Sequence, residues 1–252
     1  MRFTVKKTIC FLLLPLLLAG CDSGGDFDLG KAIAIGVGVF QATTLDENRV
    51  RQTAALAARE LDGKSRVAKG ESPYVLRLAK ITEGLQGYDG LNLNFKVYLA
   101  KEVNAFAMAD GTVRVYSGLL DAMPDDQVLA VVGHEIAHVG LKHSYQQLRE
   151  ALLTDVAFKA VGSLGETVGE LTASQLGQLG RVAVNARFSQ SDELEADAWA
   201  VQLLKSQGHD PYAMQRAIET LRDQFGSGGG FLSSHPANDK RIANIQAAIK
   251  RS

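Results

Sequence analysis

The chain has 252 residues, enough to bury the core of one domain of ordinary size without disulfide bonds. Its 46% of hydrophobic and 22% of charged residues are typical of a globular protein. With 27 basic and 28 acidic residues, the formal net charge of -1 argues against a nucleic-acid partner or another strongly charged one.

Residues 1–20 have the pattern of a signal peptide. Basic residues precede an apolar run from Ile9 to Ala19, which is about half the length of a bilayer-spanning helix. The run ends in Leu-Ala-Gly-Cys at 18–21, which resembles the bacterial lipobox, so cleavage before Cys21 and lipidation of that cysteine are expected. The acyl chains would hold the protein on the periplasmic side of the envelope. Asp22 favours the inner membrane, but this rule varies between lineages and the outer membrane stays open.

Three segments are therefore expected in the chain. Residues 1–20 are the signal peptide, residues 21–41 carry the lipidated cysteine and a tether, and residues 42–252 form one folded domain. The apolar stretch Leu29–Phe40 is either a helix packed on this domain or a contact with the membrane surface.

The first half of the domain predicts two helices and three strands. Apolar spacing predicts a helix over Asp46–Leu61, and Ser72-Pro73 begins another that ends near Leu85. Alternating apolar residues predict a strand over Leu93–Ala100. Two shorter strands, 105–108 and 112–116, flank the turn dipeptide Asp110-Gly111. A small antiparallel sheet is expected from the three strands.

The chain after Gly118 predicts helices only, so the fold class is α+β and mainly helical. The helices are predicted over Asp125–His143, about Leu148–Phe188, Asp192–Gln207, Pro211–Phe225 and Asp239–Arg251. Gly208 stands where a helix-ending glycine belongs, and Asp210-Pro211 begins the next helix.

A His-Glu-x-x-His motif lies in the apolar helical segment Val131–Val139. Residues four apart share a helix face, so His134 and His138 can bind one metal ion while Glu135 takes a proton from a bound water. Two nitrogens and a carboxylate suit Zn²⁺, which makes hydroxide available near neutral pH. The alternative is a surface helix with two unrelated histidines, but the apolar flanks would bury them at a high desolvation cost.

A catalytic zinc also needs a third protein ligand and an open fourth position. His143, five residues after His138, is expected off the ligand face, at a solvated helix end or near the helix dipole. The candidate is therefore a carboxylate of the acidic segment 191–199. Glu193 and Asp197 are four apart, so one could bind zinc while the other orients a ligand histidine. The alternative is an acidic cluster that serves only the helix dipole.

The His-Glu-x-x-His motif, followed later by Glu-x-x-Ala-Asp at 193–197, resembles the metallopeptidase family that includes the CAAX prenyl protease and the heat-shock protease HtpX. Segments 104–107, 115–119 and 234–236 share the resemblance, which runs from about Ala42 to the C-terminus. The lipobox and the single domain look most like the periplasmic lipoprotein members of that family. The resemblance implies a zincin-like domain with its sheet beside the motif helix.

The same resemblance implies a zinc endopeptidase with one zinc ion per chain. It makes His134, His138 and Glu193 the zinc ligands. Glu135 becomes the general base, and Asp197 becomes the partner that orients a ligand histidine.

The resemblance also assigns residues of the substrate cleft. It places Asn104, Ala105 and Phe106 on a strand that pairs with extended substrate; for Asn104 the alternative is an ordinary turn residue. His235 would lie beside the metal, either stabilising an oxyanion or filling the open position in a resting form, unless it merely precedes a helix. Arg241 either orients His235 or an acidic neighbour, or is solvated.

These expectations describe an envelope protease that removes misfolded or stalled membrane and periplasmic proteins. The alternative is a chaperone or assembly factor for envelope proteins, with slow or latent cleavage because His235 caps the zinc. Unfolded envelope proteins are the expected substrates, and the envelope assembly machinery is a further candidate partner. Tyr116, Phe188 and Trp199 are expected in the core rather than against substrate.

Overall fold

The computed structural model describes residues 46–153, 171–226 and 230–251. The predicted signal peptide, Cys21, Asp22 and the apolar stretch 29–40 lie outside these residues, as does the part 154–170 of the long predicted helix. All of the described residues fall within one compact unit, 40–252. No helix among them is both long enough and apolar enough to cross a lipid bilayer.

The described chain begins with two helices, α1 (Glu47–Lys64) and α2 (Pro73–Ile81). The carboxylate of Asp46 caps α1 by accepting a hydrogen bond from the amide of Arg49 at 2.8 Å. Helix α2 has its proline in the first turn, as predicted. Proline lacks an N–H, but the N–H groups of the first turn have no acceptor within the helix, so no hydrogen bond is lost there. It ends earlier than expected, at Ile81, with Thr82 as the C-cap residue.

Three strands form one mixed sheet in the order β1-β3-β2, with β1 at Asn94–Tyr98, β2 at Ala105–Ala107 and β3 at Thr112–Tyr116. The predicted hairpin joins β2 to β3, and Gly111 in its turn has φ 93°, where other residues are strained. The expectation of a wholly antiparallel sheet was wrong, because β1 runs parallel to β3. Alternating apolar residues identify a strand but do not show which strand it pairs with or in which direction. Here β1 pairs with β3, the second strand of the hairpin, and not with β2.

Helices form most of the remaining described chain. They are α3 (Ser117–Ala122), α4 (Asp125–Gly140), α5 (His143–Leu153), α6 (Ala173–Val184), α7 (Gln190–Ser206), α8 (Tyr212–Phe225), α9 (Phe231–Ser234) and α10 (Asp239–Lys250). Gly208 follows α7 with φ 74°, and the carboxylate of Asp210 accepts from the amide of Tyr212 at 3.0 Å, so the predicted boundary is confirmed.

Helix α4, which carries the His-Glu-x-x-His motif, lies at the centre of the domain. All residues from Gln127 to Val139 are buried, as expected for a motif that is flanked by apolar residues. Helix α7 makes its largest contact, and α8, β2 and β3 pack on its other sides. The fold therefore holds the motif in a dry interior, between the sheet and the acidic helix.

The start of helix α7 decides which of its carboxylates reach α4. Ser189 and Asp192 form a reciprocal capping box, so the Asp192 side chain accepts from the Ser189 amide at 3.0 Å. Glu193 and Asp197 are buried on the face toward α4, whereas the Glu195 side chain is 58% exposed. The carboxylate used for capping is thus the immediate neighbour of Glu193, which enters the site together with Asp197 one turn further along.

Candidate metal centre

Four side chains bring one ligand atom each to a common point. They are His134 and His138 of α4, Glu193 of α7 and His235, which follows α9, and their ligand atoms all lie within 4.8 Å of one another. All four residues are at least 97% buried. The structure thus joins positions that are far apart in sequence.

The spacing of the first three ligand atoms fits a zinc ion. The Nε2 atoms of His134 and His138 are 3.1 Å apart, and each lies 3.5 Å from a carboxylate oxygen of Glu193. Ligands about 2.0–2.1 Å from a tetrahedral zinc are separated by roughly 3.3–3.4 Å. Facing imidazole nitrogens beside a carboxylate in a dry pocket also lack water to solvate them, and a divalent cation supplies the partner they need.

His235 lies at the fourth side of the cluster. Its Nδ1 is 2.8 Å from Oε1 of Glu193 and 3.3 Å from Nε2 of His134. Its other nitrogen, Nε2, is 3.4 Å from Oε1 of Glu135. Phe231 stacks on the ring, with centroids 4.4 Å apart and planes at 16°. His235 therefore lies within the centre and not at a solvated helix entry.

Glu135 faces the centre from the same helix as the two ligand histidines. Its side chain is 2% exposed, and this burial raises the pKa of its carboxyl above the usual range, although the imidazoles of His235 and His134 oppose the effect. A backbone hydrogen bond from Ala107 of β2 also opposes it. A carboxyl group with a raised pKa can both take up and return a proton near neutral pH.

Asp197 lies behind His134, on the side away from the cluster. Its Oδ1 is 2.9 Å from Nδ1 of His134. Burial opposes ionisation of Asp197, but the Arg241 guanidinium outweighs it and holds the pKa of the carboxyl below its usual range. Burial by itself would lower the pKa of His134. The hydrogen bonds and negative charges of Asp197 and Glu193 outweigh burial and raise this pKa to about 9. A carboxylate in this place fixes which nitrogen of the ligand ring points inward.

Arg241 links three parts of the site. It donates two 2.7 Å hydrogen bonds to the oxygens of Asp197 and one of 3.0 Å to the backbone carbonyl of His235. One of its nitrogens also lies 2.8 Å from Oε2 of Glu193. The side chain is fully buried, so the alternative of a solvated arginine was wrong. The planar guanidinium group of arginine, with its five N–H donors, matches these several acceptors better than the single ammonium group of a lysine would.

His143 was expected off the ligand face, at a solvated helix end or near the helix dipole. It does lie outside the four-ligand cluster, but the solvated helix end was wrong. The helix of the motif ends at Gly140, Lys142 takes φ 64°, and the chain starts a new helix at His143. This change of direction turns His143 inward, where it is 6% exposed and its Nδ1 lies 3.0 Å from Nδ1 of His138. Burial lowers the pKa of His143, which favours its neutral form.

Phe188 was expected in the core and instead lies against the metal centre. Its ring stacks on that of His138, with centroids 3.8 Å apart and planes at 16°, and lies 5.6 Å from His235. Of the other two aromatic residues, Tyr116 is in the core, as predicted, and Trp199 is partly buried against it. Tyr116 packs against Tyr98, and Trp199 meets Tyr88 edge-on at 5.3 Å.

The three residues predicted for the cleft lie on or next to the edge strand β2. The side chain of Asn104 is buried and accepts from the amide of Ala105 at 2.9 Å, while the Phe106 ring packs in the core against Tyr98 and Tyr116. The side chain of Phe106 is therefore not a cleft surface. Ala105, Phe106 and Ala107 are each at most 5% exposed, so none of their side chains offers a cleft surface.

A His-Glu-x-x-His helix joined by a buried glutamate from a second helix defines a zinc metallopeptidase site. The chain belongs to peptidase family M48, whose family model matches residues 78–249. It is therefore a zinc-dependent metalloprotease, and the family resemblance inferred from its motifs is confirmed.

Three relatives illustrate this membership. The chain is 37% identical to metalloprotease LoiP of Escherichia coli (strain K12) over 244 residues, 96% of each chain. It is 36% identical to metalloprotease YcaL of the same strain over 246 residues, 97% of each chain. The beta-barrel assembly-enhancing protease of that strain is 33% identical over 160 residues, 58% of this chain and 32% of the relative.

Proposed function

We propose that this metalloprotease cleaves misfolded or stalled membrane and periplasmic proteins in the bacterial envelope. The convergence of His134, His138, Glu193 and His235 beside the buried Glu135 carries the proposal. The names of its relatives support it, because one of them is an assembly-enhancing protease for β-barrels.

The residues around the centre divide into holding and reacting groups. His134, His138 and Glu193 would hold the zinc, which when bound polarises a carbonyl and makes water more acidic. Asp197 keeps the His134 ring oriented, and Arg241 keeps Asp197 in place through its two hydrogen bonds.

Proton transfer falls to Glu135. Its carboxylate takes a proton from the attacking water and later delivers it to the leaving amine, a task for which a raised pKa is suited. His235, whose Nε2 lies 3.4 Å from Glu135, would donate a hydrogen bond to the oxyanion that develops on the scissile carbonyl. The reaction is peptide-bond hydrolysis.

The substrate would bind as an extended segment beside β2. This strand is at an edge of the sheet, and its residue Ala107 contacts the carboxylate of Glu135. Pairing along a strand edge uses the backbone of the substrate, so it requires an unfolded segment more than a particular sequence. This preference suits a protease for misfolded proteins.

The location in the envelope is part of the proposal. The lipobox at 18–21 supports export, cleavage of residues 1–20 and lipid attachment at Cys21, with residues 42–252 as the protease domain. Lipid chains would then place the protein at the membrane surface, on the periplasmic side.

The decisive experiment is degradation of a reduced, unfolded envelope protein by the purified full-length chain. We expect cleavage that stops on addition of a chelator and returns with zinc. Glu135→Gln should keep its zinc and lose cleavage, because the amide preserves the shape of the side chain but cannot take a proton. Glu83→Gln is the matched control, since it makes the same change at an exposed side chain just after α2. Cleavage by Glu135→Gln at the wild-type rate would refute the proposed base.

The second candidate is a chaperone with latent cleavage, and the position of His235 favours it. Its Nδ1 lies as close to Glu193 and His134 as a fourth zinc ligand would. If His235 only caps the centre, His235→Ala cleaves faster than wild type; if it stabilises the oxyanion, the variant cleaves more slowly. Prevention of aggregation by Glu135→Gln measures the chaperone activity separately.

A further inference from the structure

The ring of His138 is held on three sides, and one contact has no part in the proposed mechanism. Nε2 of the ring faces the cluster, Phe188 stacks on its face, and Nδ1 lies 3.0 Å from Nδ1 of His143. His143 is 6% exposed, and its ring centroid is 5.1 Å from that of His138. A buried histidine whose nitrogen meets the outer nitrogen of a proposed metal ligand needs an explanation.

We propose that His143 is a positioning residue that holds His138 with Nε2 toward the metal, by accepting a hydrogen bond from its Nδ1–H. This inference rests on the metal centre proposed above. It assigns a task to a residue outside the four-ligand cluster.

The positions of the protons follow from the geometry. Nε2 of His138 faces Nε2 of His134 at 3.1 Å and Glu193 at 3.5 Å, so its lone pair points into the cluster and the neutral ring carries its proton on Nδ1. A bond between two Nδ1 atoms needs one donor and one acceptor. His143 is therefore the acceptor, and its own proton is on Nε2.

The surroundings of His143 support that arrangement. Its Nε2 lies 3.6 Å from Oδ1 of Asp192 and 3.8 Å from Oε2 of Glu195. Two carboxylates near this nitrogen favour a proton there. Asp192 and Glu195 thus favour the His143 proton on Nε2, which leaves Nδ1 of His143 as the acceptor for Nδ1–H of His138.

The charge of the centre explains why this partner is an imidazole, whereas His134 has a carboxylate. Glu135, Glu193 and Asp197 are buried together with Arg241, so the protein supplies a formal charge of minus two if all are ionised. A divalent cation cancels that charge. A further carboxylate beside His138 would leave the dry centre with an unbalanced negative charge, which is costly, but a neutral imidazole orients the ligand without adding one.

Two variants of the same shape separate the hydrogen bond from packing. Asparagine carries its oxygen on Cγ, where Nδ1 of histidine is attached, whereas leucine has a similar shape and no acceptor. The zinc affinity of each full-length variant is measured by competition with a chromophoric chelator. We expect His143→Leu to bind zinc about 10–100-fold more weakly than wild type, and His143→Asn to stay close to wild type.

The possible results separate this inference from the proposed function. Equal loss in both variants would mean that His143 only fills space, and equal retention would mean that His138 does not need it; either result overturns the inference. If wild type itself does not bind zinc, the proposed metal centre fails as well. Melting of the zinc-free proteins shows whether a variant is folded when its affinity is measured.

A spectrum of the wild-type protein tests the same point without any substitution at His143. Nitrogen-15 NMR of the zinc-loaded chain, which has five histidines, reports the protonation of each ring nitrogen. We expect a protonated Nδ1 in His138, with an unprotonated Nδ1 and a protonated Nε2 in His143. A proton on Nδ1 of His143 would exclude it as the acceptor and overturn the inference, even if the leucine variant did not fold.

Discussion

Replacing Asp197 with asparagine should weaken both zinc binding and the metal-free fold. Asparagine has nearly the same shape, so the change removes a negative charge and leaves the packing in place. The aspartate is fully buried, 2.9 Å from Nδ1 of His134, and it accepts both hydrogen bonds of the Arg241 fork. The variant therefore disturbs a ligand and a buried ion pair at once.

The two losses have different sizes. Removing one partner of a buried ion pair costs about 3–5 kcal/mol, and the value here should lie at the low end because Arg241 keeps a contact of 2.8 Å with Glu193. Loss of the group that orients a metal-bound histidine lowers zinc affinity by about 10–100-fold, or about 1.4–2.7 kcal/mol. At saturating zinc the second loss adds to the first, since zinc stabilises only the folded protein.

Two assays measure these losses separately. Urea unfolding of the metal-free protein gives the first, and chelator competition gives the second. The control is Asp223→Asn on α8, which makes the same change at a side chain that is 64% exposed and lies outside the metal centre. We expect the control to change neither quantity by more than about 0.5 kcal/mol.

One result would refute the proposed role of Asp197. If Asp197→Asn is destabilised but binds zinc as tightly as wild type, the residue supports the fold through Arg241 and does not orient His134. Unchanged stability would instead show that the buried Arg241 does not need this partner.

Three further variants test packing and charge away from the site. Gly180→Ala should destabilise the protein by about 1 kcal/mol, because its Cβ would lie 2.6 Å from Cγ of Leu61, and overpacking exceeds the gain in helix propensity. Gly177→Ala on the same helix should stabilise it by up to about 1 kcal/mol, since its Cβ would meet only the flexible ends of Lys64 at 3.1 Å and Arg181 at 3.9 Å. Asp62→Asn should cost about 3 kcal/mol at neutral pH, because it leaves Arg114, which is 2% exposed, without its charged partner. Burial raises the pKa of Asp62, but its hydrogen bonds, led by the one from Arg114, lower this pKa overall. The full cost of the substitution is therefore expected above about pH 4, and the cost disappears as the pH falls through the pKa of Asp62 in the folded protein.

Urea unfolding of the metal-free proteins measures all three changes. The two glycine variants should move in opposite directions, and a shared direction would contradict the contact with Leu61. For Asp62→Asn, unfolding is compared at several pH values from neutral to acid. A difference from wild type that stays constant over this range would show that ionisation of Asp62 is not its source.

Much of the site could be predicted from residues close in sequence. Four-residue spacing on a helix was enough to pair His134 with His138, and the apolar flanks were enough to bury them. The same spacing placed Glu193 and Asp197 on one face of α7, but it could not say that this face meets α4. That step came from the family resemblance, and the structure brings Glu193 into the cluster.

The predictions that failed depend on changes of chain direction. A helix that continued through residue 143 would have left His143 at a solvated helix end, but the left-handed φ of Lys142 ends that helix first and a new one starts at His143. The direction of β1 depends on which strand of the hairpin reaches it. Neither feature leaves a periodic pattern, so neither could be read from local spacing.

The amino-acid sequence by itself determined the motif helix with its two imidazoles and the acidic helix with its capping box, because each depends on residues within a few turns of one another. Only the tertiary structure decided which groups surround those ligands. Arg241, His235, His143 and Phe188 reach the centre from separate segments of the chain. Long-range packing sets such contacts, and it depends on how all the helices fit together rather than on any one stretch of residues.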